Sequence, residues 1–173
     1  MSNTNWNHDQ PAVEYMRQQI TIYFPEVAFH WAAKQNVDPD PDLRNAPRFH
    51  EDHSLHGVGG YKARSTEFGN PSLHASGRAA DIYVKIQSPL LKAIGDSLFE
   101  GFVTNAQQLG FEEIIWNRQI WSRAHPTVRP YHGTKPHDDH VHVGFTAAGS
   151  QCKPALLADV LQEAKAAVDA QFP

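Results

Sequence analysis

The chain predicts an α+β fold. Three observations carry that expectation: apolar residues recur at helical spacing in three separated segments, short β-branched or alternating runs lie between these segments, and strands and helices do not alternate strictly. A doubly wound parallel sheet would require that alternation. At 173 residues, 40% hydrophobic and 20% charged, the chain reads as one domain spanning residues 1–173 with room for a sizeable core.

The first helix is expected from Pro11 to Phe24, because Val13, Met16, Ile20 and Tyr23 fall near helical spacing and Pro25 limits it. From Val37 to Gly60 the chain reads as irregular; "NVDPDPDLRNAP" holds three prolines and four charges. "AADIYVKI" reads as a strand, with Asp81 at its start. Ser88 and Pro89 then supply the cap and first position of a helix whose stripe is Leu91, Ile94, Leu98, Phe102 and Leu109, ended by Gly110. "FEEIIWNRQIWS" predicts a hairpin turning at "NRQ", and "DHVHVGF" alternates as a strand. A final helix is expected to start near Lys153 and Pro154, burying Leu157, Val160, Leu161 and Ala164. No repeat, low-complexity tract or linker interrupts the chain.

Charge and composition exclude several classes of function. A formal net charge of −4 without a basic run argues against a nucleic-acid binder. No apolar stretch approaches a membrane span. The single cysteine, Cys152, permits no internal disulfide and reads as an ordinary small residue. The N-terminus has neither a basic nor an apolar signal region, so synthesis in the cytoplasm without a signal peptide is expected.

Histidine is the unusual component. Of eleven in the chain, five lie between His125 and His142, and "PHDDHVH" packs three of them with two aspartates. On a strand, His140 and His142 share one face while Val141 and Val143 take the other. His137 can enter from the preceding loop, and Asp138 or Asp139 can accept the second N–H of a histidine and set its tautomer. A second cluster, "PSLHASGRAADIY", places His74 and Asp81 seven residues apart with Gly77 between them to turn the chain. A histidine, an aspartate and a distant histidine make a three-ligand set with an open fourth position, the arrangement of catalytic zinc. An Asp81 buried among small residues would need a cation partner or a capping role.

These two clusters together resemble the LAS metallopeptidases, the group of lysostaphin-type enzymes, D-Ala-D-Ala peptidases and hedgehog. The nearest pattern is that of the penicillin-insensitive murein endopeptidases and zinc D-alanyl-D-alanine carboxypeptidases, S-x-H-x-x-G-x-A-x-D followed later by H-x-x-H-x-H. Ser72, His74, Gly77, Ala79 and Asp81 match the first part, and His137, His140 and His142 the second. The segment from "IIWNRQIWS" to "HVHVGF" is also similar to the catalytic domains of M15-like cell-wall peptidases, some of them in phage lysins. The resemblance covers about residues 59–145. It implies a small antiparallel sheet carrying a zinc site and flanked by helices, as in LAS/hedgehog-like folds.

The resemblance further implies one zinc ion per chain, held by His74, Asp81 and His142. His140 would be the general base or the orienter of the attacking water, and His137 would stabilise the oxyanion or bind substrate. Some relatives carry a glutamate three residues before the last histidine; Asp139 stands there in this chain, as the alternative base. A regular strand turns it away from His142, which ranks His140 above it. Arg64 in "GYKARS" resembles a family arginine that grips a carboxylate or a developing oxyanion. Ser72, Trp116 and Tyr131, with Trp121, are candidates for the substrate groove, and His50, His53 and His56 read as a solvated loop. The activity implied is hydrolysis of peptidoglycan stem peptides or cross-links. The agent would be a lysin released by a holin, or an antibacterial effector delivered by a secretion machine together with a cognate immunity protein. The alternative is a zinc-stabilised binding domain of the same fold without turnover.

Overall fold

The computed structural model describes residues 8–27, 58–59 and 72–173. Helix α1 spans Pro11–Tyr23, with proline in its first turn as its missing N–H allows. It buries Ala12, Val13, Met16 and Ile20. Arg17 on the same helix is also buried; it pairs with Asp9 and donates from Nε to the Val58 carbonyl at 3.2 Å. That bond ties the helix to strand β1 (Val58–Gly59), which falls in a stretch expected to be irregular.

The remaining strands are β2 (Ala79–Tyr83), β3 (Phe111–Trp116), β4 (Gln119–Ser122), β5 (His125–Pro130) and β6 (His140–Phe145). Strand β2 begins two residues before Asp81, so the aspartate sits mid-strand. All neighbours pair antiparallel in the order β1-β2-β6-β3-β4-β5. The fold is therefore α+β, with a small antiparallel sheet. Strand β5 was not foreseen in "HPTVRP"; its two prolines are tolerated because it lies at the sheet edge.

Helices α2 (Pro89–Thr104) and α3 (Leu156–Gln171) join α1 in one hydrophobic core with Ala80, Ile82, Ile114, Val141 and Val143. Ser88 caps α2 by accepting from the Leu91 amide. This helix ends well before Gly110, because the Asn105 side chain takes the Gly101 carbonyl at 2.9 Å; Leu109 reaches the core from the turn that follows. Helix α3 likewise starts at Leu156, just after the Lys153–Pro154 expected. No described helix is long and apolar enough to cross a membrane.

Strand register gives the sheet two unlike faces. Asp81 pairs with His142, Tyr83 with His140 and Ile115 with His142, so these side chains share the face away from the helical core. The β3–β6 pairing is irregular between Phe111 and Glu113: Phe111 faces Phe145, whereas Glu113 faces Gly144. The bulge leaves Phe111 in the core and turns Glu113 onto the opposite face, a reversal that a regular strand cannot make.

Trp116 locks α2 to the sheet. Its indole is 1% exposed and donates from Nε1 to Asp96 Oδ1 at 2.9 Å. A Cβ built on Gly95 would come within 2.4 Å of the same indole. Gly95→Ala should gain about 1 kcal/mol in helix propensity and lose about 1–3 kcal/mol through overpacking. We expect the loss to win and Tm to drop by a few degrees. A Tm above wild type would mean that the indole is not held as firmly as its hydrogen bond implies.

Candidate metal centre

His74 reaches the sheet from a single 3₁₀ turn, Leu73–Ser76. Ser72 caps that turn, its hydroxyl accepting from the His74 amide at 3.2 Å. Gly77 closes it in the left-handed region at φ 65°, where a Cβ would also strike the His8 carbonyl. The chain therefore reverses between His74 and Asp81 and lays the imidazole over strand β2.

Three atoms then converge. His74 Nε2 lies 3.0 Å from Asp81 Oδ1 and 3.2 Å from His142 Nδ1, and His142 Nδ1 lies 3.0 Å from the same Asp81 oxygen. All three residues are buried. Among the described residues they form a group that can hold a metal ion. Two imidazole nitrogens and one carboxylate oxygen, within 3.2 Å of one another, fit a divalent cation of intermediate softness.

Two further histidines border the group. His140 Nε2 stands 3.6 Å from Asp81 Oδ1, and its Nδ1 meets Asp139 Oδ1 at 2.6 Å. Asp139 thus lies behind His140, on the ring nitrogen away from Asp81. His137 sits with its ring centroid 4.7 Å from that of His140 and 5.8 Å from that of His142. It takes the left-handed region at φ 51°. Backbone bonds hold its segment from both sides: Asn117 N–H to the His137 carbonyl at 2.7 Å, Arg118 N–H to Pro136 at 2.9 Å and Ile86 N–H to Asp138 at 3.1 Å. The first two donors form the β3–β4 turn, whose residues both have positive φ, so the hairpin closes on "NR" alone.

The electrostatics follow from packing carboxylates against imidazoles. Burial by itself would raise Asp81, but hydrogen bonds from His142 and His74, with the charges of His74 and His140, hold it well below the usual carboxylate range. Burial would lower His142, yet Asp81 and Glu113 outweigh it and raise the imidazole to about 9. Glu113 is itself held below its usual value against burial, chiefly by His142. His137 is pushed down to about 4, first by burial and then by the charges of His140 and His142.

Other candidates separate from the group. Trp116 and Trp121 do not line a groove: both are core residues on the helical side of the sheet. Ser72 acts as the cap described above. Tyr131 does stand at the margin, its ring meeting His137 edge-on at 5.1 Å. Arg64, His50, His53 and His56 lie outside the described residues. Glu113 is the residue that sequence reasoning missed. Its Oε1 lies 3.1 Å from His142 Nε2, an arrangement created by the bulge.

Residues 42–142, more than half of the chain, match the family described as VldE, C-terminal domain, and the chain belongs to that family. The matched span contains His74, Asp81, Glu113, His137, His140 and His142. No curated protein and no solved structure matches the chain significantly.

A cation entering this group must displace the proton on His142 Nδ1, since that imidazole is raised to about 9 and is protonated at neutral pH. Titration with Co²⁺ should therefore release about one proton per chain near pH 7. Affinity should fall about tenfold per pH unit as pH is lowered from about 8 to about 6. Calorimetry in buffers of different ionisation enthalpy measures the release. A binding constant that does not vary with pH would contradict it.

Proposed function

We propose that this member of the VldE C-terminal domain family is a zinc peptidase acting on the stem peptides or cross-links of bacterial peptidoglycan. One observation carries the reading: His74, Asp81 and His142 present three ligating atoms within 3.2 Å of one another, and an unligated histidine, His140, faces the same carboxylate oxygen. A purely structural zinc site is closed by a fourth protein ligand, whereas a hydrolytic one leaves a position for substrate. The peptidoglycan assignment rests on the two motifs that resemble the LAS peptidases, S-x-H-x-x-G-x-A-x-D and H-x-x-H-x-H.

In this reading His74, Asp81 and His142 hold the ion. When bound, zinc supplies Lewis acidity, which makes a carbonyl more electrophilic and a water more acidic. The protein supplies the proton transfers and the alignment. Asp139 accepts the Nδ1–H of His140, which leaves Nε2 as the basic nitrogen beside Asp81. His140 takes a proton from the attacking water and returns it to the departing amine, so hydrolysis leaves the residue unchanged.

His137 has a different part. Its Nδ1 donates to the Lys135 carbonyl at 2.9 Å, and a neutral imidazole so engaged offers only a lone pair at Nε2. That atom suits a substrate amide N–H and cannot stabilise an oxyanion. Tyr131, edge-on to this ring, completes the margin against which a peptide would lie.

Metal analysis of untagged protein should find one zinc per chain, lost in His74→Ala. Purified muropeptides should be cleaved, and chelation should stop the reaction. His140→Ala should keep zinc while turnover falls by about 10²–10⁴-fold. Asp139→Asn should cost less, because it disturbs the orientation of the base and leaves the base in place. If Asp139→Asn abolishes turnover while His140→Ala preserves it, the roles are reversed. Stoichiometric zinc with no cleavage of any muropeptide would leave a zinc-stabilised binding domain.

A further inference from the structure

Glu113 belongs to none of the motifs, and its place in the sheet is unusual. It is the first residue of β3 after the bulge, paired with Gly144 on β6. A Cβ on residue 144 would stand 2.4 Å from Leu73 Cδ1 and 3.1 Å from Glu113 Cγ. Only glycine leaves that surface clear for the glutamate to lie across the strand towards His142. Glu113 Oε1 then meets His142 Nε2 at 3.1 Å, while the other ring nitrogen, Nδ1, faces His74 and Asp81.

We infer that Glu113 is a positioning residue for the metal ligand His142. The inference rests on the reading of His74, Asp81 and His142 as a metal centre. A carboxylate oxygen can only accept, so the contact requires the N–H of His142 to be on Nε2. A neutral imidazole has one N–H; with it on Nε2, the lone pair falls on Nδ1, the atom of the three-atom group. Once a metal ion displaces the proton on Nδ1, Glu113 thereby holds the remaining N–H on Nε2 and helps fix the ring about its χ angles. Without it, the Nδ1–H form, which can donate to Asp81, competes and one of the ring's two anchors is lost. Partners of this kind raise the affinity of a site by about 10–100-fold.

Four proteins test this: wild type, Glu113→Ala, Glu113→Gln and Glu112→Ala, each titrated with Zn²⁺ alone in competition with a chromophoric chelator. Circular dichroism of the metal-free forms checks the fold. Glu113→Ala should weaken zinc binding about 10–100-fold. Glu113→Gln keeps a neutral acceptor on the same stem and should recover part of that loss. Glu112→Ala removes the adjacent carboxylate of the bulge and should bind as wild type does. With Co²⁺ as probe, Glu113→Ala should also shift the visible absorption bands, which report ligand geometry and which a general loss of stability would leave in place. Wild-type affinity in Glu113→Ala overturns the inference. So does an equal loss in Glu113→Gln and Glu113→Ala, or an equal loss in Glu112→Ala, which would make the effect one of net charge. If the wild-type chain binds no zinc, the metal centre itself fails, and Glu113 with it.

Discussion

The buried carboxylate of Asp81 is the constraint around which the rest is arranged. At 2% exposure an unpaired carboxylate would cost several kcal/mol, so its surroundings must repay that cost. Three imidazoles do so, with nitrogens at 3.0, 3.0 and 3.6 Å from one oxygen. Each arrives by a separate device. His142 is the cross-strand partner, His140 lies two residues along the same strand, and His74 is folded back by a capped 3₁₀ turn that ends in a left-handed glycine.

That arrangement depends in turn on a sheet with one dry face. Val141, Val143, Ile82 and Ile114 belong to the core shared with the helices, so the alternate residues of the same strands are forced to the other side. The polar face is therefore a by-product of core packing, and it is rigid for the same reason. The His137 segment gains its rigidity differently, from three backbone hydrogen bonds donated by the β3–β4 turn and by Ile86. A strained φ at His137 persists because its surroundings over-determine it, which is common where side chains must be aimed.

Charge balance at the group favours a cation. Asp81 and Glu113 both stay ionised against the effect of burial, and His142 is held protonated between them. A proton on His142 and a divalent ion at the three-atom group would compete for the same lone pair, so the two carboxylates around His142 mark where positive charge belongs. His137, pushed in the opposite direction, remains neutral and keeps its acceptor nitrogen. Neighbouring imidazoles thus differ because His142 sits between two carboxylates, whereas burial first, and then the neighbouring imidazoles, push His137 down.

The local patterns were legible in the sequence: the proline that opens α1, the Ser88 cap, the period-two run that separates His140 and His142 from the two valines, and the Gly77 turn between His74 and Asp81. Each depends on residues within a few positions of one another, and short-range sterics decide them. What lay outside the sequence's reach involved neighbours far apart along the chain. Trp116 turned out to be a core residue because α2 presents Asp96 and Gly95 to it. Strand β5 forms because β4 offers it an edge. Glu113 was invisible because a regular strand with Phe111 inside would bury it too; only the bulge against β6 reverses its side. The sequence by itself determined the local spacing of His74, Asp81, His140 and His142. The tertiary structure decided which of them meet, because strand register is settled only when segments distant in sequence pack against each other.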